Sequence, residues 1–371
     1  MDFYSYIWKT HDPEMKTLAR YIACFTIGLC GCKKSDDAAP IVVSESKFLI
    51  SNSNASGIGI LSVYEKPGGV VTDAAYKLSS TSSNPETIAD FQIYNGKVYM
   101  VRSGSAIIEV ANLSDLSQSQ SIQYAKPLAT NFYKHIGVTN NKIFVGDRDF
   151  NSRSTSQNTA FVKVVTLGQT KVDSIGIAKN GPITAITVSS RYVYVSGGTS
   201  PQTIFVIDAT TLAKVAIIPI TGFCTEIIVD KDNNILVFYN GRITKFSGAD
   251  YSVMKDRLIG GANVNVENDD VAGNSAYALD TPNNILYFLS NAPQPASAPY
   301  VLKSYDLTTD VVDFVSTQFI SAETIAYDAV EKQIVLGTYD TKGVVKFFSL
   351  KGELKAQGTI SGAPVTIRIE Q

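Results

Sequence analysis

Short runs of β-branched, aliphatic or aromatic residues, each entered from a polar turn, recur seven times along the chain. They are Phe48-Leu49-Ile50, Val98-Tyr99-Met100-Val101, Ile143-Phe144-Val145, Val193-Tyr194-Val195, Ile235-Leu236-Val237, Ile285-Leu286-Tyr287-Phe288 and Ile334-Val335-Leu336. Their starts lie 42 to 50 residues apart. A strand precedes most of them, as at Phe91-Gln92-Ile93 or Ile186-Thr187-Val188. Asn- and Gly-bearing turns such as Asn95-Gly96-Lys97 and Asn140-Asn141-Lys142 make the connection. Asn and Gly tolerate the positive φ of tight hairpins, so turn chemistry and strand pattern agree. A third strand follows in each repeat, as at Ile107-Ile108-Glu109-Val110 or Ile204-Phe205-Val206-Ile207. A strand-only period of this size predicts an all-β fold, a seven-bladed β-propeller of four-stranded antiparallel blades.

The chain ends complement each other. Phe48 opens a repeat that lacks its inner strand, while Ala363 to Ile369 reads as an inner strand with nothing after it. The C-terminal strand is therefore expected to join the N-terminal blade and close the ring, removing exposed sheet edges. Inner strands alternate. One face carries large apolar residues such as Phe91, Ile136, Ile227 and Ile367, and the other carries small or polar ones. The second face suits a crowded, wet central channel and nominates Asp90, His135, Glu226 and Arg368 as channel-lining residues. A structural polar ring holding ordered water is the plainer reading of the same four.

Before the repeats, residues 15–32 combine Lys16 and Arg20 with an apolar stretch from Tyr21 to Leu29, too short to span a bilayer. The stretch ends in Leu29-Cys30-Gly31-Cys32. Residues 1–14 precede a serviceable start at Met15 and read as a misassigned start. The expected organisation is a leader over 1–31 with its signal peptide at 15–31, a tether over 32–46, and the propeller over 47–371. Processing would remove the single Trp (Trp8) and one of two histidines (His11), leaving His135 as the one imidazole. The remaining Cys32 and Cys224 cannot assemble a Cys/His zinc site, and no cofactor is expected. With 32 basic and 34 acidic residues, the chain offers no electrostatic footprint for nucleic acid.

Two resemblances follow from these residues. Leu29 to Cys32 resembles the bacterial lipobox, which implies cleavage before Cys32, acylation of its thiol and anchoring through lipid alone. The Lys33-Lys34-Ser35-Asp36-Asp37 run is similar to surface-export tethers, and a plain solvated linker is the alternative. The unit from Arg191 to Leu212, with Val206-Ile207-Asp208-Ala209-Thr210-Thr211, resembles YVTN-type propeller repeats. The whole resembles seven-bladed surface lipoproteins of Gram-negative bacteria. That resemblance implies an outer-membrane, surface-exposed protein that captures a ligand, cobalamin-like or another large nutrient, beside a TonB-dependent transporter. The alternatives are a protein-interaction or adhesion scaffold and, third, a metal-dependent hydrolase or lyase.

Candidate ligand anchors lie on one rim, where long loops follow the second strands. They are Arg102, Tyr133, Arg148, Phe150, Arg153, Tyr239 and Tyr339, since Tyr offers broad amphipathic contact and Arg planar hydrogen bonding. The alternative is rim side chains that merely pack on neighbouring loops. Asn263 to Asp270 is acidic but lacks calcium-loop spacing, so no metal is assigned there. No Gly-x-Ser-x-Gly elbow is present, and a single mature histidine makes the case for an enzyme thin.

Overall fold

The computed structural model describes residues 47–53, 56–65, 70–78, 86–125, 135–148, 159–179, 183–198, 202–239, 241–260, 276–291, 300–339 and 342–370. Seven four-stranded antiparallel sheets form the blades, each running from an inner strand through second and third strands to an outer one. The inner strands are, from blade 1 to blade 7, Thr366–Glu370, Ile88–Tyr94, Ile136–Thr139, Ile183–Val188, Cys224–Val229, Tyr277–Asp280 and Thr324–Asp328. Blade 1 is thus built from both ends of the chain. Its second strand, Lys47–Ser53, pairs antiparallel with Thr366–Glu370, from Lys47 opposite Glu370 to Ser51 opposite Thr366. The expected closure is present. Among the described residues no helix is long and apolar enough to cross a membrane.

The second strands explain why their sequences are continuous apolar runs rather than alternating ones. Each is covered on both faces, and successive residues feed two different inter-blade seams. In blade 2, Val98 and Met100 pack with Leu49, Leu61 and Phe91 toward blade 1. Tyr99 and Val101 pack with Ile136, Ile143 and Val145 toward blade 3. The closing seam holds Phe48, Ile50, Val335, Phe347 and Ile367. There the Phe48 and Phe347 rings meet edge-on, with centroids 5.2 Å apart. Fully burying one such side chain contributes about 1.5–3 kcal/mol, so the seams, not the single sheets, hold the ring together.

Hairpins between inner and second strands turn through positive φ at Asn95, Asn141, Asn233, Asn284 and Lys332. Those between third and outer strands do so at Leu116, Gly168, Leu212, Tyr251, Asp310 and Gly352. Several of the latter are closed by Asp carboxylates. Asp208 Oδ1 accepts from the backbone N–H of Thr210 and Thr211, and Asp306 Oδ1 from Thr308 and Thr309. Both turn types lie on one face of the ring, called here the turn face. Inner strands begin, and second strands end, on the opposite face, called here the mouth face.

Candidate functional site

Strand register sets which side chains meet in the channel. Asp90 lies opposite Val101, Ala185 opposite Ser196, Glu226 opposite Phe238, Thr324 opposite Gly337 and Thr366 opposite Ser51. In blades 3 and 6 the equivalent backbone pairings are Gly146 N–H to His135 O and Leu289 N–H to Ala276 O. One ring level near the start of the inner strands therefore reads, from blade 1 to blade 7, Thr366, Asp90, His135, Ala185, Glu226, Ala276 and Thr324. Two residues further along lie Arg368, Gln92, Gly137, Thr187, Ile228, Ala278 and Ala326. Blades 3 and 4 approach closely at the second level. A Cβ added at Gly137 would fall 2.4 Å from Val188 Cγ1.

These levels wall a cavity of about 420 Å³ to which all seven blades contribute, and Asp90, His135, Glu226 and Arg368 line it. Asp90 is tied to both neighbouring blades. Its carboxylate accepts hydrogen bonds from Phe91 N–H at 2.8 Å, from Ile136 N–H of blade 3 at 3.2 Å, and from Arg368 Nη2 of blade 1 at 3.3 Å. Arg368 Nε also donates to the Phe91 carbonyl at 3.2 Å. One buried carboxylate so ties three blades, while the Arg368 side chain stays 44% exposed. Burial holds the His135 imidazole below its ordinary pKa of 6.5. Asp90's charge opposes that shift and Arg368's reinforces it. His135 is therefore neutral at neutral pH and able to accept a hydrogen bond. Thr324 lines the same cavity and is only 1% exposed, and its hydroxyl has no hydrogen-bond partner.

On the rim, the structure places the expected anchors differently from one another. Arg102, Tyr239 and Tyr339 do end second strands on the mouth face. Arg102 is buried, however, and spent inside the protein. Its guanidinium pairs with Glu109 of the third strand and, at 2.9 Å, with Glu86. Glu109 in turn accepts from the Tyr76 hydroxyl of blade 1. A carboxylate in the apolar run Ile107-Ile108-Glu109-Val110 needed a buried partner, and Arg102 is that partner. Tyr239 is likewise buried, with its hydroxyl 2.8 Å from Thr244 Oγ1. Tyr339, 43% exposed, is the one of the three open to solvent. Tyr133, Phe150 and Arg153 lie outside the described residues. So do the Arg148 side chain, the acidic 263–270 segment and Cys32. The buried Cys224 thiol is raised to about 12 by burial, so it is no nucleophile at neutral pH.

Residues 48–359 match the family described as Domain of unknown function (DUF5074). None of the curated proteins compared with the chain matches it. Among solved structures, the periplasmic gluconolactonase PpgL of Pseudomonas aeruginosa is 12% identical with a TM-score of 0.61, over 88% of this chain and 99% of that one. AztD of Citrobacter koseri is 11% identical with a TM-score of 0.56, over 88% and 98%. The WD40 domain of Neurospora crassa Pan2 is 10% identical with a TM-score of 0.53, over 75% and 79%. At such identities these likenesses show the propeller fold alone, and the three names already span unrelated roles.

Proposed function

Because the chain belongs to the DUF5074 family, whose description assigns no activity, its channel must supply the functional reading, and we propose that it is a binding module for a small polar ligand. The observation that carries this is the 420 Å³ cavity, lined by charged, imidazole and hydroxyl groups from different blades. Its volume falls in the range of ordinary ligand sites, about 300–1,000 Å³. The acylated Cys32 and the tether complete the reading. The propeller is held on the outer membrane, exposed at the cell surface, and passes its ligand to a TonB-dependent transporter without turning it over.

Thermal-shift screening of the purified protein against nutrients tests this. Thr187 lines the cavity, so Thr187→Trp should cork it. Ligands that stabilise the parent should no longer stabilise the corked protein. Shifts that survive the cork, on a protein that remains folded, would put binding elsewhere. Conversion of a bound ligand to product would replace the binding module by an enzyme.

A second reading, a protein-interaction scaffold, draws on the outer strands of blades 4 to 6. Val215, Ile217, Val253, Leu258, Val311 and Phe314 there are each at least half exposed. Its mark would be a surface complex that forms equally well with the corked protein.

A further inference from the structure

The ligand class can be narrowed, on the premise that the channel is the binding site. The cavity wall carries one guanidinium, Arg368, against two carboxylates, Asp90 and Glu226, so its formal charge is −1 with His135 neutral. The guanidinium is already held by the Asp90 carboxylate and the Phe91 carbonyl. Glu226 stands on blade 5, nearly across the ring from this pair on blades 1 and 2. Besides this pair, the polar side chains of the mouth ring are the Glu226 carboxylate, the neutral His135 imidazole and the hydroxyls of Thr324 and Thr366, each able to accept a hydrogen bond. The Thr324 hydroxyl is the telling one, because a buried polar atom without a partner on a cavity wall costs about 1–3 kcal/mol unless something docks there. Between these groups the wall is aliphatic at Ala185, Ile228, Ala278 and Ala326, interrupted by the amide of Gln92 and the hydroxyl of Thr187.

We propose that this cavity selects an organic ammonium ion, a primary amine on a short aliphatic chain, with its nitrogen at the mouth ring and its methylenes against the aliphatic wall. An ammonium brings three N–H donors and no acceptor to a ring rich in acceptors. A carboxylate ligand would meet a net negative wall. Among the described residues no group of three or more His, Cys, Asp or Glu is placed to hold a metal ion.

Hexylamine, hexanol and hexanoate share one chain and differ only in the head group. Ligand-observed NMR titration of each against the intact protein at neutral pH reads the selectivity. Hexylamine should bind about tenfold or more tightly than the other two, the scale of a hydrogen bond to a charged group. Glu226→Gln should weaken hexylamine by a similar factor. Thr324→Val should weaken it several-fold while leaving the melting temperature unchanged or higher, since the hydroxyl has no protein partner to lose. Hexanoate binding as well as hexylamine, no binding by hexylamine, or full affinity in both folded variants would overturn the proposal. Thr187→Trp separates the two levels of the argument. If hexanol or hexanoate binds instead and is lost in the corked protein, the channel stands as the site and the ammonium selectivity falls. Undiminished hexylamine binding to the corked protein would remove the channel itself.

Discussion

His135 is the residue whose ionisation the structure constrains most directly. Burial lowers its pKa in the fold relative to the ordinary 6.5 of an unfolded chain. Well above pH 6.5 both states are neutral, and the contribution to stability is complete. As pH falls below that, the unfolded chain takes up a proton that the folded imidazole resists, so stability declines. Turn carboxylates such as Asp208 and Asp306 are also lowered, below 3.8, but by backbone N–H donors that favour the charged form, and they act only in a more acidic window. The urea midpoint should therefore drop between pH 7.5 and 5.5, and His135→Asn should flatten that drop. An equal drop in the variant would assign it to other groups. At this scale the channel wall was readable, because a strand alternates and Asp90, His135, Glu226 and Arg368 fall on one parity. The state of Arg102 and Tyr239 was not. A residue at a strand end can turn outward or inward, and only three-dimensional neighbours such as Glu86, Glu109 and Thr244 decide which.

Elements divide by how much burial they receive. Second and third strands are sandwiched and announce themselves as apolar runs. Outer strands do not. Blade 2 ends in Gln118–Gln123, whose residues are nearly all exposed, so hydrophobic pattern has nothing to mark. Such a strand forms because its neighbour offers a row of backbone donors and acceptors. Turns were legible wherever Asn or Gly supplied the positive φ. Blade 7 places Lys332 at φ 50° where four other blades use Asn. Lys332→Asn should relieve part of that strain and stabilise by up to about 1 kcal/mol, read as a raised unfolding midpoint. No change would mean that Lys332 has contacts offsetting the strain. The brace between blades 1 and 2 gives the opposite sign. Arg102→Met would leave Glu109, fully buried, and Glu86, nearly so, without their shared cation, at a cost of about 3–5 kcal/mol. A change below about 1 kcal/mol would show that the pair is dispensable.

The molecule as a whole depends on one splice, the pairing of Lys47–Ser53 with Thr366–Glu370. Removing residues 365–371 would expose the edge of Lys47–Ser53 and strip Ile367 from the closing seam, which also holds Phe48 and Phe347. Loss of the sharp unfolding transition and self-association on gel filtration are the expected results. A monomer melting as the parent does would show that the ring closes without its last strand. The splice also decides which way the molecule looks. Lys47 lies opposite Glu370, where inner strands end, and its ammonium reaches the carbonyls of Leu113 and Ser114 in a neighbouring turn at 3.3 Å. Lys47 therefore begins its strand on the turn face, while Asp90, His135, Glu226 and Thr324 stand near the opposite end of the inner strands, so the two ends of the channel differ in what they present to solvent.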